Sequence, residues 1–166
     1  MIQRATISPD GLYRYQLERW WGDSGAGALV FLMLNPSTAD AEKDDPTIRR
    51  CIGFAKREGR DGIIVINIFA YRTSDPKKLR EAFENGIDVI GPDNKKHVMK
   101  TAMEYGEVVC AWGSSPIAED MEWFSVRDLW ACGVKTYDLG RTKAGPPRHP
   151  LYVRADQPLL EYAPRP

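Results

Sequence analysis

The stretch ALVFLMLNPSTAD, residues 28–40, decides the fold, because a strand that reads as fully buried ends abruptly in polar residues. Its first seven residues form an unbroken apolar run, which is typical of a strand covered on both faces of a sheet. The next four residues, 35–38, are Asn-Pro-Ser-Thr, which cap, turn and form hydrogen bonds rather than pack. Open α/β sheets place their ligand sites at the carboxyl ends of such strands. The stretch therefore predicts a buried strand with a polar site at its end.

Three further strands, and helices between them, continue this pattern along the chain. The strand-like runs occupy residues 62–70, 107–113 and 134–140. Helical patterns, bounded by Asp-Pro pairs or glycines, separate them at residues 45–59, 75–86, 94–105 and 116–133. Turn-forming residues 8–11 lie between two more β-prone runs, which predicts a hairpin. The sequence thus predicts a three-layer α/β/α sandwich with a four-stranded, mostly parallel sheet, preceded by an N-terminal β-hairpin.

Length and composition favour a single α/β domain over residues 1–166. Hydrophobic residues make up 43% of the chain and charged residues 28%, as in ordinary globular proteins. No apolar run approaches the roughly 20 residues that cross a bilayer, and the N-terminal residues lack the apolar core of a signal peptide. We therefore expect a cytoplasmic protein without a membrane partner. The formal net charge is +0, so the chain lacks the overall positive charge of many nucleic-acid-binding proteins. A local patch of basic residues is still compatible with a net charge of zero.

The sequence predicts neither a metal site nor a cofactor. Its three cysteines, Cys51, Cys110 and Cys132, lie far apart without a CxxC pair, so the spacing favours neither zinc nor a disulfide framework. The acidic stretch DAEKDD, residues 40–45, is better explained as a helix entry whose carboxylates complement the helix dipole.

The carboxyl ends of parallel strands meet at one edge of a sheet, so the residues that follow the predicted strands are expected to lie together. That edge collects amides, hydroxyls, aromatic rings and basic groups: Asn35, Ser37, Asn67, Tyr71, Arg72, Trp112, Ser114, Arg141, Arg148 and His149. Such a set suits a polar, planar ligand. Some of these residues also have a purely structural interpretation. Residues 35–38 could only cap the segment that follows, and Asn67 could form hydrogen bonds that join parts of the backbone inside its apolar run.

Four motifs, in this order, resemble those of the uracil-DNA glycosylase superfamily. LNPS at 34–37 resembles the first motif of the mismatch-specific branch, and VINIFAYRTSDP at 65–76 resembles the strand that carries the base-reading asparagine. VVCAWGS at 108–114 is similar to the apolar strand ending in a small-residue turn, and RHPLYV at 148–153 to the late His-Pro motif. Together with DPTIRR and GPPRHPLY, the set resembles even more closely a family called domain of unknown function 1643, which implies no assigned activity.

The glycosylase resemblance implies a role for each candidate. Asn35 would hold the attacking water through its side-chain carbonyl, Asn67 would make paired hydrogen bonds to the base, and His149 would stabilise negative charge on the departing base. We expect the remaining candidates to contact the base or the phosphates: Ser37, Tyr71 and Trp112 the base, and Arg72, Ser114, Arg141 and Arg148 the phosphates. The implied partner is a nucleic acid or a nucleotide.

The sequence departs from the glycosylase pattern at several positions, so the resemblance alone does not decide whether the protein is catalytic. The first motif lacks the aspartate that activates water in the most active branch, and Leu151 and Tyr152 replace the Ser-Pro that follows His-Pro. The four cysteines of the iron–sulfur branches are also absent. Three hypotheses therefore stand: a nucleobase-recognising protein that hydrolyses the N-glycosidic bond of a modified or mispaired base, a non-catalytic nucleic-acid or nucleotide-binding module on the same fold, and a pocket used for an unrelated small molecule.

Overall fold

The computed structural model describes residues 1–119 and 123–163. Within these ranges one sheet contains seven strands: β1 (Ile2–Ile7), β2 (Arg14–Trp20), β3 (Ala28–Met33), β4 (Gly62–Asn67), β5 (Glu107–Cys110), β6 (Lys135–Asp138) and β7 (Leu160–Glu161). Five helices and a 3₁₀ turn connect them: α1 (Pro46–Arg57), α2 (Pro76–Glu84), α3 (Asn94–Tyr105), α4 (Pro116–Glu119), α5 (Val126–Ala131) and the turn Pro150–Tyr152. The mixed α/β fold expected from the sequence is confirmed.

The sheet is larger and more mixed than the sequence predicts. In the order β1-β2-β4-β3-β5-β6-β7, the pairs β4–β3, β3–β5 and β5–β6 are parallel, and the outer pairs are antiparallel. The prediction of a four-stranded sheet is wrong because the N-terminal hairpin does not stand apart from it. Strand β2 pairs with the free edge of β4, with Leu17 opposite Val65. At the other edge β7 adds only two residues, which is too short to leave a sequence signal.

Helices pack on both faces of the sheet. On one face α1 buries Ile48, Cys51 and Phe54 against alternate residues of β3 and β4. On the opposite face, Leu79 of α2, Val98 of α3 and Leu129 of α5 pack against the other residues of the same strands. Because both faces are covered, β3 and β4 are buried along their whole length, which explains their unbroken apolar sequences. No helix in the described ranges has the length and apolar character needed to cross a bilayer.

Helix boundaries follow the predicted signals in three cases and depart from them in one. Asp45 caps α1 and Asp75 caps α2, each followed by a proline, and Gly106 ends α3 with a left-handed φ of 72°. The single helix predicted over 116–133 is wrong, because Ser125 is extended and accepts a hydrogen bond from the Arg127 amide to start α5 separately. Residues 120–122 of that predicted helix lie outside the described residues.

Two buried arginines of β2 hold the loop that joins β3 to α1. Arg14 Nη1 donates to the carbonyl of Ala39 at 2.7 Å. Arg19 Nε pairs with the Asp44 carboxylate at 2.8 Å, and its Nη2 donates to the carbonyls of Asp40 and Lys43. These contacts fix the loop against the hairpin and thereby position the residues that follow β3.

Candidate functional site

A cavity of about 460 Å³ opens beside the carboxyl ends of β3, β4 and β5. Its volume lies in the range of pockets that hold small ligands, roughly 300–1,000 Å³. Six of the ten site residues predicted from sequence line it: Asn35, Ser37, Asn67, Trp112, Ser114 and His149. The fold therefore brings both predicted catalytic residues and the predicted base-reading asparagine to one cavity.

The other four predicted site residues are not among the described residues that line the cavity. Tyr71 makes an edge contact with the Tyr13 ring, at 6.4 Å between centroids, and Arg72 Nη1 donates to the carbonyl of Gly11 in the hairpin turn at 3.2 Å. Arg141 lies over the Tyr162 ring, 4.6 Å from its centroid, and Arg148 Nε donates to the Arg141 carbonyl at 3.1 Å. The three predicted phosphate-binding arginines thus make contacts with their own chain outside the cavity.

Asn67, the last residue of β4, carries the least satisfied side chain of the cavity. It is 1% exposed, and neither its Oδ1 nor its Nδ2 has a hydrogen-bond partner among the described residues. An unpaired buried polar group costs about 1–3 kcal/mol. Asn67 also lines the cavity, so its amide is a polar group of the cavity wall that lacks a partner among the described residues.

A second buried asparagine holds the backbone around Asn67. Asn94, at the start of α3, is 0% exposed, and its Nδ2 donates to the carbonyls of Asn67 at 2.9 Å and of Ile68 at 3.0 Å. These bonds satisfy the two carbonyls at the point where β4 leaves the sheet. Asn94 is therefore a positioning residue for Asn67.

Asn35 has one amide atom fixed and one open. Its Nδ2 donates to the carbonyl of Thr73 at 2.9 Å and lies within hydrogen-bond distance of the Pro36 and Tyr71 carbonyls. These contacts fix the orientation of the amide and join the β3–α1 loop to the segment before α2. No hydrogen bond reaches Asn35 Oδ1 within residues 1–119 and 123–163, so this oxygen is the atom that can hold a water or a ligand.

His149 presents an N–H donor. Its Nδ1 accepts a hydrogen bond from the Leu151 amide at 3.2 Å, which assigns the proton of the neutral ring to Nε2. Arg50 of α1 holds the following turn by donating to the carbonyls of Pro150, at 3.2 Å, and Val153. Burial lowers the pKa of His149, and the Asp45 carboxylate opposes that shift. His149 is therefore neutral at pH 7, with its Nε2–H available.

The lowered pKa of His149 predicts a loss of stability on acidification. An unfolded histidine titrates at its ordinary value of 6.5, so the unfolded chain binds this proton first as the pH falls. Neutral His149 makes its full contribution to the unfolding free energy above pH 6.5, and this contribution is lost as the pH falls through the pKa of the folded protein. We expect His149→Gln to flatten the pH dependence of the unfolding free energy between about pH 7 and 5, measured by urea denaturation.

His97 provides the matched control for that experiment, because burial lowers its pKa too but it lies on α3, away from the cavity. His97→Gln should remove only the part of the pH dependence of the unfolding free energy that comes from His97, and it should leave the part that comes from His149. A nuclear magnetic resonance titration of His149 in the folded protein that gives a pKa of 6.5 or above would contradict the prediction.

Gly113 allows His149 to approach the segment that follows β5. Its φ is 75°, and a Cβ at this position would lie 3.3 Å from His149 Cβ. We expect Gly113→Ala to lower the unfolding free energy by about 1–2 kcal/mol through left-handed strain and to shift the imidazole resonances of His149. Gly25→Ala is the control, because Gly25 also has a positive φ, 88°, but a Cβ there would have no neighbour within 4 Å. Equal shifts of His149 in both variants would show that Gly113 does not position it.

The sequence interpretation missed two charged residues of the cavity, Arg14 and Asp45. The Asp45 carboxylate has both oxygens engaged: Oδ1 accepts from the Ile48 amide at 2.8 Å, and Oδ2 accepts from the Ser37 hydroxyl. The Asp-Pro pair at residues 45–46 indicates only a helix cap. Asp45 is that cap, but its place in the cavity leaves no separate signal in the sequence. Arg14 gives no signal, because it begins the second strand of the hairpin and lies far in sequence from the carboxyl ends of β3, β4 and β5.

The described residues contain no cluster of three or more His, Cys, Asp or Glu side chains suited to a metal ion. Cys51 and Cys110 are buried and unpaired, and burial raises the pKa of both thiols. Cys132 is exposed and also free. The polar side chains that line the cavity among the described residues carry amides, hydroxyls, one imidazole, one guanidinium and one carboxylate.

A family model described as "Protein of unknown function (DUF1643)" matches residues 14–151. The chain belongs to this DUF1643 family. The match runs from Arg14 to Leu151 and therefore includes every described residue that lines the cavity except Tyr152. No curated protein and no solved structure matches the chain. The resemblance to uracil-DNA glycosylases accordingly remains a prediction from the four sequence motifs.

Proposed function

We propose that the cavity of this DUF1643 protein binds a nucleobase. The observation that carries the proposal is the unpaired, buried amide of Asn67. A carboxamide offers one acceptor and two donors side by side, which matches the adjacent carbonyl and N–H groups on the edge of a pyrimidine. A base that pairs with both atoms removes the cost of leaving them buried and unsatisfied.

The walls of the cavity suit a flat ring. Met33, Ile48, Val65 and Trp112 contribute apolar surface, and Trp112 is held edge-on by Phe124 and Tyr162. Apolar walls with a few fixed polar groups are typical of small-ligand sites. The four glycosylase-like motifs supply residues of this same cavity, which favours a nucleobase over other planar ligands.

We further propose that the protein hydrolyses the N-glycosidic bond of that base. A water held by Asn35 Oδ1 would attack the sugar carbon, the carbon–nitrogen bond would break, and its electron pair would leave with the base. His149 Nε2–H would donate to the base oxygen on which negative charge develops. The base would then take up one proton, the attacking water would lose one, and the sugar would keep the hydroxyl. One fixed donor of this kind is worth about 3 kcal/mol of barrier.

A non-catalytic binding module is the second candidate, and one observation favours it. Asp45 is the carboxylate among the described cavity-lining residues, and both of its oxygens already accept hydrogen bonds. These two bonds stabilise the charged form of the Asp45 carboxylate and so weaken it as a base for the attacking water. Recognition without cleavage requires only Asn67 and the walls.

The test is an assay for both binding and base release. Oligonucleotides that carry uracil, mispaired bases and modified pyrimidines would be incubated with wild type, Asn35→Ala and His149→Ala, with exposed Asn85→Ala as the matched control. Release that is lost in the two folded cavity variants but kept in Asn85→Ala would support the glycosylase. Binding without release would support the module, and an absence of both binding and release would overturn the proposal.

A further inference from the structure

The Arg14 guanidinium is a buried cation with unused donors in the wall of the cavity. The residue is 2% exposed and lines the same cavity as Asn67. Within the part of the chain that the structure describes, one of its five N–H donors makes a hydrogen bond, to the Ala39 carbonyl, and the buried Nε has no partner. No carboxylate of the described residues lies within ion-pair distance of it.

A distortion of β2 directs Arg14 to this side of the sheet. Along a regular strand, residues 14 and 19 would face opposite sides, because successive side chains alternate. The register with β1 shifts, however, so that Thr6 pairs with Gln16 and Ile7 pairs with Arg14. The extra residue, Tyr15, is a bulge, and bulges re-aim side chains near functional sites. As a result Arg14 and Arg19 both contact the loop after β3.

The charge of Arg14 has no direct ion-pair partner among the described residues. Asp45 and Asp40 stabilise it, but neither forms an ion pair with it, and the Asp45 oxygens accept from the Ile48 amide and the Ser37 hydroxyl. Arg19 and Arg72 add further positive potential around the group. Burial lowers the pKa of Arg14 to about 10, so the side chain is still charged at neutral pH. Burying such a charge without a partner is costly, and an anion in the cavity would remove that cost.

We propose that Arg14 binds an oxyanion of the cavity's ligand, a phosphate or a carboxylate. This proposal rests on the proposed function. Together, the two proposals make the ligand a nucleotide whose base contacts Asn67 and whose phosphate contacts Arg14. The phosphate contact then comes from the hairpin rather than from Arg72, Arg141 and Arg148, the three arginines that the sequence favoured.

The experiment compares matched ligands with and without the anionic group. Calorimetric titrations at constant ionic strength would use uridine and adenosine, their 5′-monophosphates, inorganic phosphate and acetate. The proteins are wild type, Arg14→Gln, Arg14→Lys and the control Arg4→Gln, an exposed arginine of β1. We expect a monophosphate to bind wild type roughly tenfold to hundredfold more tightly than its nucleoside, since charged hydrogen bonds are strong. Arg14→Gln should abolish that advantage, Arg14→Lys should retain part of it, and Arg4→Gln should leave it unchanged.

The outcomes separate this proposal from the nucleobase proposal. Nucleosides and monophosphates that bind wild type equally would overturn the Arg14 assignment and leave base recognition standing. Phosphate or acetate binding that Arg14→Gln abolishes, without nucleoside binding, would support the oxyanion site and contradict base recognition. If no anionic probe binds wild type, Arg14 has only its structural role. Should Arg14→Gln fail to fold, the wild-type comparison and Arg14→Lys still decide the question.

Discussion

Replacing Asn67 with leucine is expected to raise the stability of the ligand-free protein and to abolish nucleobase binding. The leucine side chain has the same number of heavy atoms, although its methyl groups are bulkier, and it has no polar atoms, so it removes two buried groups that lack partners. We expect the unfolding free energy to rise by about 1–3 kcal/mol and the affinity for a base to fall roughly a hundredfold. Urea denaturation and calorimetric titration measure the two effects.

Asn94→Leu is the matched control, since it changes a second buried asparagine next to the first. Asn94 donates to two backbone carbonyls, so its loss leaves those carbonyls unpaired and lowers the unfolding free energy. Opposite signs for the two variants would show that the Asn67 amide, unlike that of Asn94, makes no stabilising hydrogen bond in the ligand-free protein. A loss of stability in both would make Asn67 a structural bridge instead.

Replacing Arg19 with methionine is expected to give the largest loss of stability, about 3–5 kcal/mol. Arg19 is 0% exposed, pairs with Asp44 and donates to backbone carbonyls of the loop that joins β3 to α1. Methionine fills part of the space but leaves Asp44 and the carbonyls without their donor. The loop would loosen, and ligand binding in the cavity would weaken with it.

Arg154→Met is the control for this prediction, because Arg154 also forms an ion pair, with Asp156, but its side chain is 86% exposed. Surface pairs contribute little, so the unfolding free energy should change by less than about 0.5 kcal/mol. Denaturant unfolding of both variants under the same conditions tests the contrast. An equally small effect at Arg19 would show that its buried hydrogen bonds do not stabilise the loop.

The sequence predicts the central strands and the helix starts well, because both depend on local chemistry. Strands β3 and β4 are unbroken apolar runs, and α1 and α2 begin at Asp-Pro pairs whose aspartates accept amide hydrogen bonds. The extent of the sheet could not be predicted in this way. Whether a hairpin joins a sheet depends on which edge is free, and that is a property of the assembled fold rather than of residues 2–20.

The candidate site was predicted where it consists of strand ends and missed where it depends on long-range contacts. Asn35 and Trp112 follow buried strands, Asn67 ends one, and the fold brings the three to one cavity as expected. Arg72, Arg141 and Arg148 follow the same rule, but ring and carbonyl contacts hold them elsewhere. Arg14 reaches the cavity only because a bulge shifts its strand by one residue. The regular alternation of side chains along a strand would place Arg14 on the opposite face of the sheet from the cavity.

The most direct measurement is a nuclear magnetic resonance titration of the Asn67 side-chain amide with pyrimidine and purine nucleosides and their monophosphates. We predict that the Asn67 Nδ2 resonance shifts and saturates with one of these ligands, that the exposed Asn85 amide does not respond, and that Asn67→Leu no longer binds. An Asn67 amide that stays unchanged at saturating concentrations of every nucleobase ligand would contradict nucleobase binding in this cavity.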